Sequence, residues 1–90
     1  MIYITAIRLS AGGNTLKHIT DVRWFEPSTG NRNDWPRSRM VTWIRDERGD
    51  ARVKDQRGEA QVIVVEDNPP YLKASPNDRT TDNLLSLPRF

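Results

Sequence analysis

A chain of 90 residues that is 36% apolar and 29% charged can build one modest core and not two. Fourteen basic side chains against 12 acidic ones leave a net charge of +2. These figures exclude a multidomain enzyme, a collagen-like or coiled-coil rod, and a highly charged disordered tail, and they point to a single domain over residues 1–90.

Cysteine is absent, which removes disulfide scaffolds, thiolate metal sites and cysteine nucleophiles. Residues 1–8 lack a basic lead, and Thr5 and Arg8 break their apolar run, so they do not read as a secretory signal. The longest nearly apolar run, residues 60–65, is far short of the roughly 20 residues a membrane span needs. A soluble cytoplasmic protein is expected.

Residues 2–9 alternate in part and are rich in β-branched side chains, the pattern of a strand. Residues 10–14, with Gly12 and Gly13, form a turn cluster. Residues 16–25 read as a second strand and the hairpin partner of the first. Ile19, Val22 and Trp24 break parity, and a bulge near Thr20 and Asp21 would return all three to one face. Residues 26–37 carry two prolines and one glycine and read as a polar loop.

Ser38 stands where a helix N-cap belongs, and Met40, Trp43 and Ile44 follow at i, i+3, i+4 spacing. A short amphipathic helix over residues 39–46 is the reading taken, although Met40, Thr42 and Ile44 also alternate as a strand would. Residues 51–54 alternate apolar and basic, residues 55–58 supply a turn, and residues 59–66 form the strongest strand. The consecutive Val62, Ile63, Val64 and Val65 suggest a strand covered on both faces, one of them by a second copy. A turn at residues 67–70 leads to a last short strand at residues 71–74, and residues 75–81 read as loop. The sum is an α+β fold: a small, mainly antiparallel sheet of four or five strands, one short helix and a docked C-terminal segment.

Several of these stretches together resemble a small family of bacterial and phage proteins catalogued as domain of unknown function 3892. The resemblance rests on residues 1–10 (MIYITAIRLS), 18–24 (HITDVRW) and 40–44 (MVTWI), and most specifically on Tyr71-Leu72-Lys73 followed by residues 82–90 (DNLLSLPRF). It covers nearly the whole chain and departs from the family pattern at the loop with Trp35 and Pro36 and at Pro69 and Pro70. The family implies no activity, so the resemblance bears on fold.

The basic residues number 11 arginines to three lysines. Residues 28–58 hold eight basic and five acidic groups, and residues 59–90 hold three and five, so a mildly electropositive centre precedes a mildly acidic end. Within that centre, Trp35 sits in the polar loop with Arg32, Arg37 and Arg39 nearby. An aromatic ring flanked by guanidinium groups suits nucleotide or nucleic-acid recognition by stacking and phosphate contact. The competing reading makes Trp35 a lid on the core beside Met40 and Trp43. Val62, Val64, Leu84, Leu85, Leu87 and Phe90 are candidates for docking within the chain or for self-association. Asp82 would cap the turn that carries the leucines, and Pro88 would end it.

His18 is the single histidine. No nucleophile-elbow pattern surrounds any serine, and one histidine with Asp21 nearby is thin for a metal site. It reads as an ordinary strand residue, and a hydrolase or metal enzyme around it is the least favoured function. Gly12-Gly13-Asn14-Thr15 lacks the lysine of a phosphate-binding loop and reads as a hairpin turn. A non-enzymatic binding or interaction module is therefore expected, without cofactor, structural metal or membrane, self-associating through its sheet. An anion or nucleic-acid binder using the arginine and tryptophan loop is the alternative.

Overall fold

The computed structural model describes residues 1–55, 58–75 and 84–90, with the backbone alone at Asp55. The strands are β1 (Ile2–Leu9), β2 (Ile19–Phe25), β3 (Arg32–Pro36), β4 (Ala51–Asp55), β5 (Gly58–Val65) and β6 (Tyr71–Ala74). One helix, α1 (Arg37–Asp46), lies between β3 and β4, and single 3-10 turns occupy Leu16–His18 and Leu84–Ser86. The strands form one mixed sheet in the order β3-β2-β1-β4-β5-β6. The α+β class stands, but the sheet has six strands rather than four or five.

The extra strand is β3, where the composition suggested a loop. Its N–H and C=O groups pair with β2 in antiparallel register, Val22 opposite Trp35 and Phe25 opposite Arg32. The hairpin before it closes where Glu26 N–H donates to the Asn31 carbonyl at 2.8 Å, and Gly30 takes the left-handed φ of +78° that this turn needs. β3 is an edge strand with only Trp35 partly buried, so it lacks the apolar alternation by which strands are read.

Pro36 ends β3 and stands at the helix cap position with φ −62° and ψ 151°. Proline's fixed φ suits the junction, so α1 starts at Arg37 and Ser38 lies inside its first turn rather than capping it. Met40 and Val41 are buried, and Trp43 and Ile44 pack beside them, which makes the amphipathic stripe the core face of the helix. α1 carries the chain from β3 across the core face to β4, which runs parallel to β1. The other four strand pairings are antiparallel.

Two irregularities set which side chains face inward. Between Ile4 and Ala6 the β1 strand carries one extra residue opposite β2, and between Arg8 and Leu9 the extra residue is in β2, at Thr20. The second is the bulge that the parity of Ile19, Val22 and Trp24 requires: Ile19 and Val22 are fully buried and Trp24 packs on the core. The second strand begins at Ile19 rather than at residue 16, because Leu16–His18 turns as a 3-10 helix.

The core lies between α1 and one face of the sheet, with Ile4, Ile7, Ile19, Val22, Met40, Val62, Leu72 and Leu84 its largest fully buried side chains. In β5, Val62 and Val64 face this core, while Ile63 and Val65 are half-buried on the other side. β6 curls toward the turn after β1, where Lys17 pairs with Asp67 at 3.0 Å and lies 5.7 Å from the Tyr71 ring.

The C-terminal segment docks as read. Leu84 is fully buried and Leu85 and Leu87 pack against the core. Beyond them, Ile7 N–H donates to the Pro88 carbonyl at 2.9 Å and Phe90 N–H donates to the Ile7 carbonyl at 3.1 Å. β4 pairs with β1 only at Ile2 and Tyr3, so residues 88–90 take the lane beside β1 that β4 leaves. The expected Asp82 cap, the centre of the turn at residues 55–58 and most of the loop at residues 75–81 lie outside the described residues. Among the described residues no helix is long and apolar enough to cross a membrane.

Candidate functional site

Of Arg32, Trp35, Arg37 and Arg39, the structure brings together Trp35 and Arg39 and separates the other two from them. On β3, Trp35 points to the core face and Arg32, three residues earlier, to the outer face. Trp35 stands edge-on between Trp24 (centroids 5.1 Å apart) and Trp43 (6.0 Å), and the Arg39 guanidinium covers it at 4.4 Å. The indole N–H groups of Trp24 and Trp35 are buried with no acceptor among the described residues, so ring packing holds this cluster. Arg37 leaves the group and donates from Nη1 to the Lys17 carbonyl at 2.8 Å.

His18 closes the 3-10 turn instead of lying in a strand. Its Nδ1 is 2.8 Å from Thr15 Oγ1 and 3.3 Å from Thr15 N, a reciprocal cap of the turn. Gly13 allows this packing, since a Cβ there would lie 2.4 Å from the His18 Cβ. Among the described residues no three His, Asp or Glu side chains gather as a metal site would need.

The chemistry concentrates on the outer face of the sheet, away from α1. Burial of Ile2, Ile4, Val22, Ala51, Val53, Ala60 and Val62 turns the alternate residues Tyr3, Arg23, Arg52, Lys54, Glu59 and Gln61 outward. Phe25 follows the same parity, and the register sets it opposite both Tyr3 and Arg32.

Two adjacent rings thus lie on the open sheet with a cation over each. Lys54 Nζ is 5.7 Å from the Tyr3 centroid and the Arg32 guanidinium 5.3 Å from that of Phe25. Neither cation makes an ion pair among the described residues. Tyr3, Thr5, Phe25, Pro27, Lys54 and Leu87 line a mostly apolar concavity of about 520 Å³, and a smaller one of about 220 Å³ opens between Phe25, Arg23 and Arg32. The larger falls within the range of small-ligand pockets, about 300–1,000 Å³.

Acidic groups border the rings and lock other cations in place. Arg23 donates to both Asp34 carboxylate oxygens, at 2.8 and 3.1 Å. Arg52 bridges Asp50 (3.0 Å) and Glu59 (3.1 Å), and Tyr3 Oη also donates to Glu59. The hydrogen bond from Tyr3, with a second from Arg52, holds the Glu59 carboxyl below its ordinary range, and the same Tyr3–Glu59 bond raises the phenol. Arg23 likewise lowers Asp34. On the far side Arg8 and Arg23 stack over the Phe90 ring, at 4.7 and 4.3 Å.

A family model described as Protein of unknown function (DUF3892) matches residues 3–88. The chain belongs to that family. No curated protein and no solved structure matches it. Within this DUF3892 chain the match takes in α1 and all six strands except Ile2 of β1, and includes Tyr3, Phe25, Arg32 and Lys54; it ends before Arg89 and Phe90.

Sequence reasoning missed Tyr3, Phe25 and Lys54 as possible ligand contacts. The signal was present in the parity of the strands: wherever the aliphatic residues face inward, these residues face out. Of the docking candidates, Val62 and Leu84 are buried within the chain, Val64, Leu85 and Leu87 are packed against its core, and Phe90 lies on the outer face.

Proposed function

We propose that this chain is a non-catalytic binding module that takes single-stranded nucleic acid on the outer face of its sheet. Tyr3 and Phe25 are the stacking platforms, and Lys54 and Arg32 contact the phosphates on either side. The observation that carries this reading is the pair of rings on neighbouring strands, each under a cation that makes no ion pair among the described residues, beside a concavity of about 520 Å³. An aromatic ring stacked on a base contributes about 1–3 kcal/mol with little dependence on sequence. Two phosphate contacts add a shallow salt dependence, with a log–log slope near −1.4 for a single strand. A net charge of +2 fits a short footprint of a few nucleotides.

Fluorescence anisotropy of a labelled ten-nucleotide oligomer, read at low salt and across a salt series, tests the reading. Single-stranded oligomers should bind with a slope between about −1 and −2, and the matching duplex more weakly. Absence of binding at low salt, where phosphate contacts are strongest, rules the reading out.

A further inference from the structure

We propose that Phe90 is a built-in competitor for the nucleic-acid face, occupying the place of a stacked base and masking two guanidinium groups. The inference rests on the nucleic-acid reading and names how that same face is regulated. Arg8 and Arg23 lie on the outer face beside the Tyr3 and Phe25 platforms: Arg23 is next but one to Phe25 along β2, and Arg8 follows Tyr3 along β1. Both guanidiniums lie over one ring, at 4.7 and 4.3 Å from its centroid, with Arg23 also paired to Asp34. Arg8 Nε also donates to the Phe90 carbonyl oxygen at 3.1 Å. A flat ring in contact with two guanidiniums, at the edge of a face that already offers two rings with cations over them, presents to the arginines the surface a nucleobase would present.

The ring can leave without unfolding the domain. Residues 84–87 anchor the segment through buried Leu84 and the packed Leu85 and Leu87. Past them, the segment is held to β1 by the backbone bonds from Ile7 N–H to Pro88 and from Phe90 N–H to Ile7. Among the described residues, displacing Phe90 sacrifices the second of these, its two cation–ring contacts and the bond from Arg8. It exposes Arg8, and it exposes the face of the Arg23 guanidinium while the Asp34 pair holds its edge. A strand of nucleic acid stacked on Tyr3 and Phe25 would then reach one or two further cations. With Phe90 docked the face has a short footprint, and with Phe90 displaced a longer one.

Phe90→Ala tests this, because it deletes the ring and keeps the backbone bonds that dock the segment. The parent and the variant are titrated with the same labelled ten-nucleotide single strand, and both are melted thermally to show that the variant stays folded. Two exposed cation–ring contacts predict roughly fivefold to thirtyfold tighter binding by the variant. The log–log salt slope should also steepen by about 0.7 for each guanidinium that gains a phosphate, a change that mere loosening of the segment would not produce. Phe90→Leu, which keeps the bulk and removes the π face, should move both quantities in the same direction. Unchanged or weaker binding by Phe90→Ala overturns the competitor and leaves the nucleic-acid reading in place. Failure of parent and variant alike to bind overturns both.

Discussion

Gly49→Ala should destabilise the protein although its backbone there is ordinary. Gly49 is not among the positive-φ residues, which are Gly12, Gly30, Gly58 and Arg48, so alanine meets no left-handed strain. On entropy alone the substitution would stabilise by about 0.4–1 kcal/mol, because it restricts the unfolded chain. Sterics run the other way. A Cβ at Gly49 would lie 2.2, 2.3 and 2.5 Å from three ring atoms of Trp43, well inside van der Waals contact. The indole cannot swing clear cheaply, since it also packs edge-on with Trp35 at 6.0 Å and Gly49 N–H is bound to the Trp43 carbonyl at 2.9 Å. Overpacking of this kind costs about 1–3 kcal/mol, and contacts this close belong in the upper half of that range, so the net loss should be about 1–2 kcal/mol. With a urea m-value near 1 kcal/mol/M the midpoint falls by about 1–2 M, read by tryptophan fluorescence. Near-ultraviolet circular dichroism should change with it, because the rings of Trp43 and Trp35 must shift. Gly30→Ala is the contrast: at φ +78° with nothing within 4 Å it pays for backbone strain alone and should leave the tryptophan signals intact. A Gly49→Ala midpoint equal to or above the parent's would refute the argument, because it would mean that Trp43 does not lie against Gly49.

The face and the core make separable predictions. Phe25→Ala should weaken single-strand binding about thirtyfold, the middle of the range for one stacked base, and leave the single-strand preference in place; an unchanged Kd would remove Phe25 as a platform. Leu84→Ala opens a cavity at a fully buried position and should cost about 2–5 kcal/mol, a fall of roughly 10 °C or more in Tm by calorimetry. A fall within about 2 °C would show that the C-terminal segment does not dock. Asp34 and Glu59 have carboxyls lowered by Arg23 and by Tyr3 with Arg52, so the folded state binds fewer protons there than the unfolded one. Their contribution to stability is therefore complete above the ordinary carboxylate range, about pH 4, and is lost as pH falls through the lowered values. Asp34→Asn with Glu59→Gln should flatten the acid limb of the urea midpoint against pH, and a limb of unchanged steepness would count against both pairs.

Much of the fold was legible because burial imposes a rhythm on the residues. The alternation of Ile2 and Ile4, the apolar run of β5 and the stripe at Met40, Trp43 and Ile44 all mark elements that bury one face. Even the bulge at Thr20 could be read, since Ile19, Val22 and Trp24 share a face only if one residue is extra. What escaped was β3. An edge strand is stabilised by backbone pairing on one side and needs no apolar face, so Arg32, Asn33 and Asp34 carry no rhythm to read. Pro36 added to the appearance of a loop, although at the end of an edge strand a missing N–H costs nothing.

That missed strand also decides why Arg32 and Trp35 end on opposite faces of the sheet. Arg32 and Trp35 are three residues apart, a spacing that joins side chains on a helix and separates them on a strand. Once β3 forms, Trp35 goes to the core with Trp24 and Trp43, and Arg32 goes out to Phe25, seven positions back in the chain. The hairpin register makes that second meeting: Phe25 opposite Arg32, and Phe25 again opposite Tyr3 across β1. Local clustering of arginine and tryptophan along the chain thus becomes a division between the two faces of the sheet. The chemistry that a ligand can reach is set by strand parity, and the residues it selects lie far apart in sequence: Tyr3, Phe25, Arg32 and Lys54 come from four different strands. Phe90 joins them only because β4 diverges from β1 after Tyr3 and leaves a lane for the C-terminal segment, a gap that no local pattern in the sequence encodes.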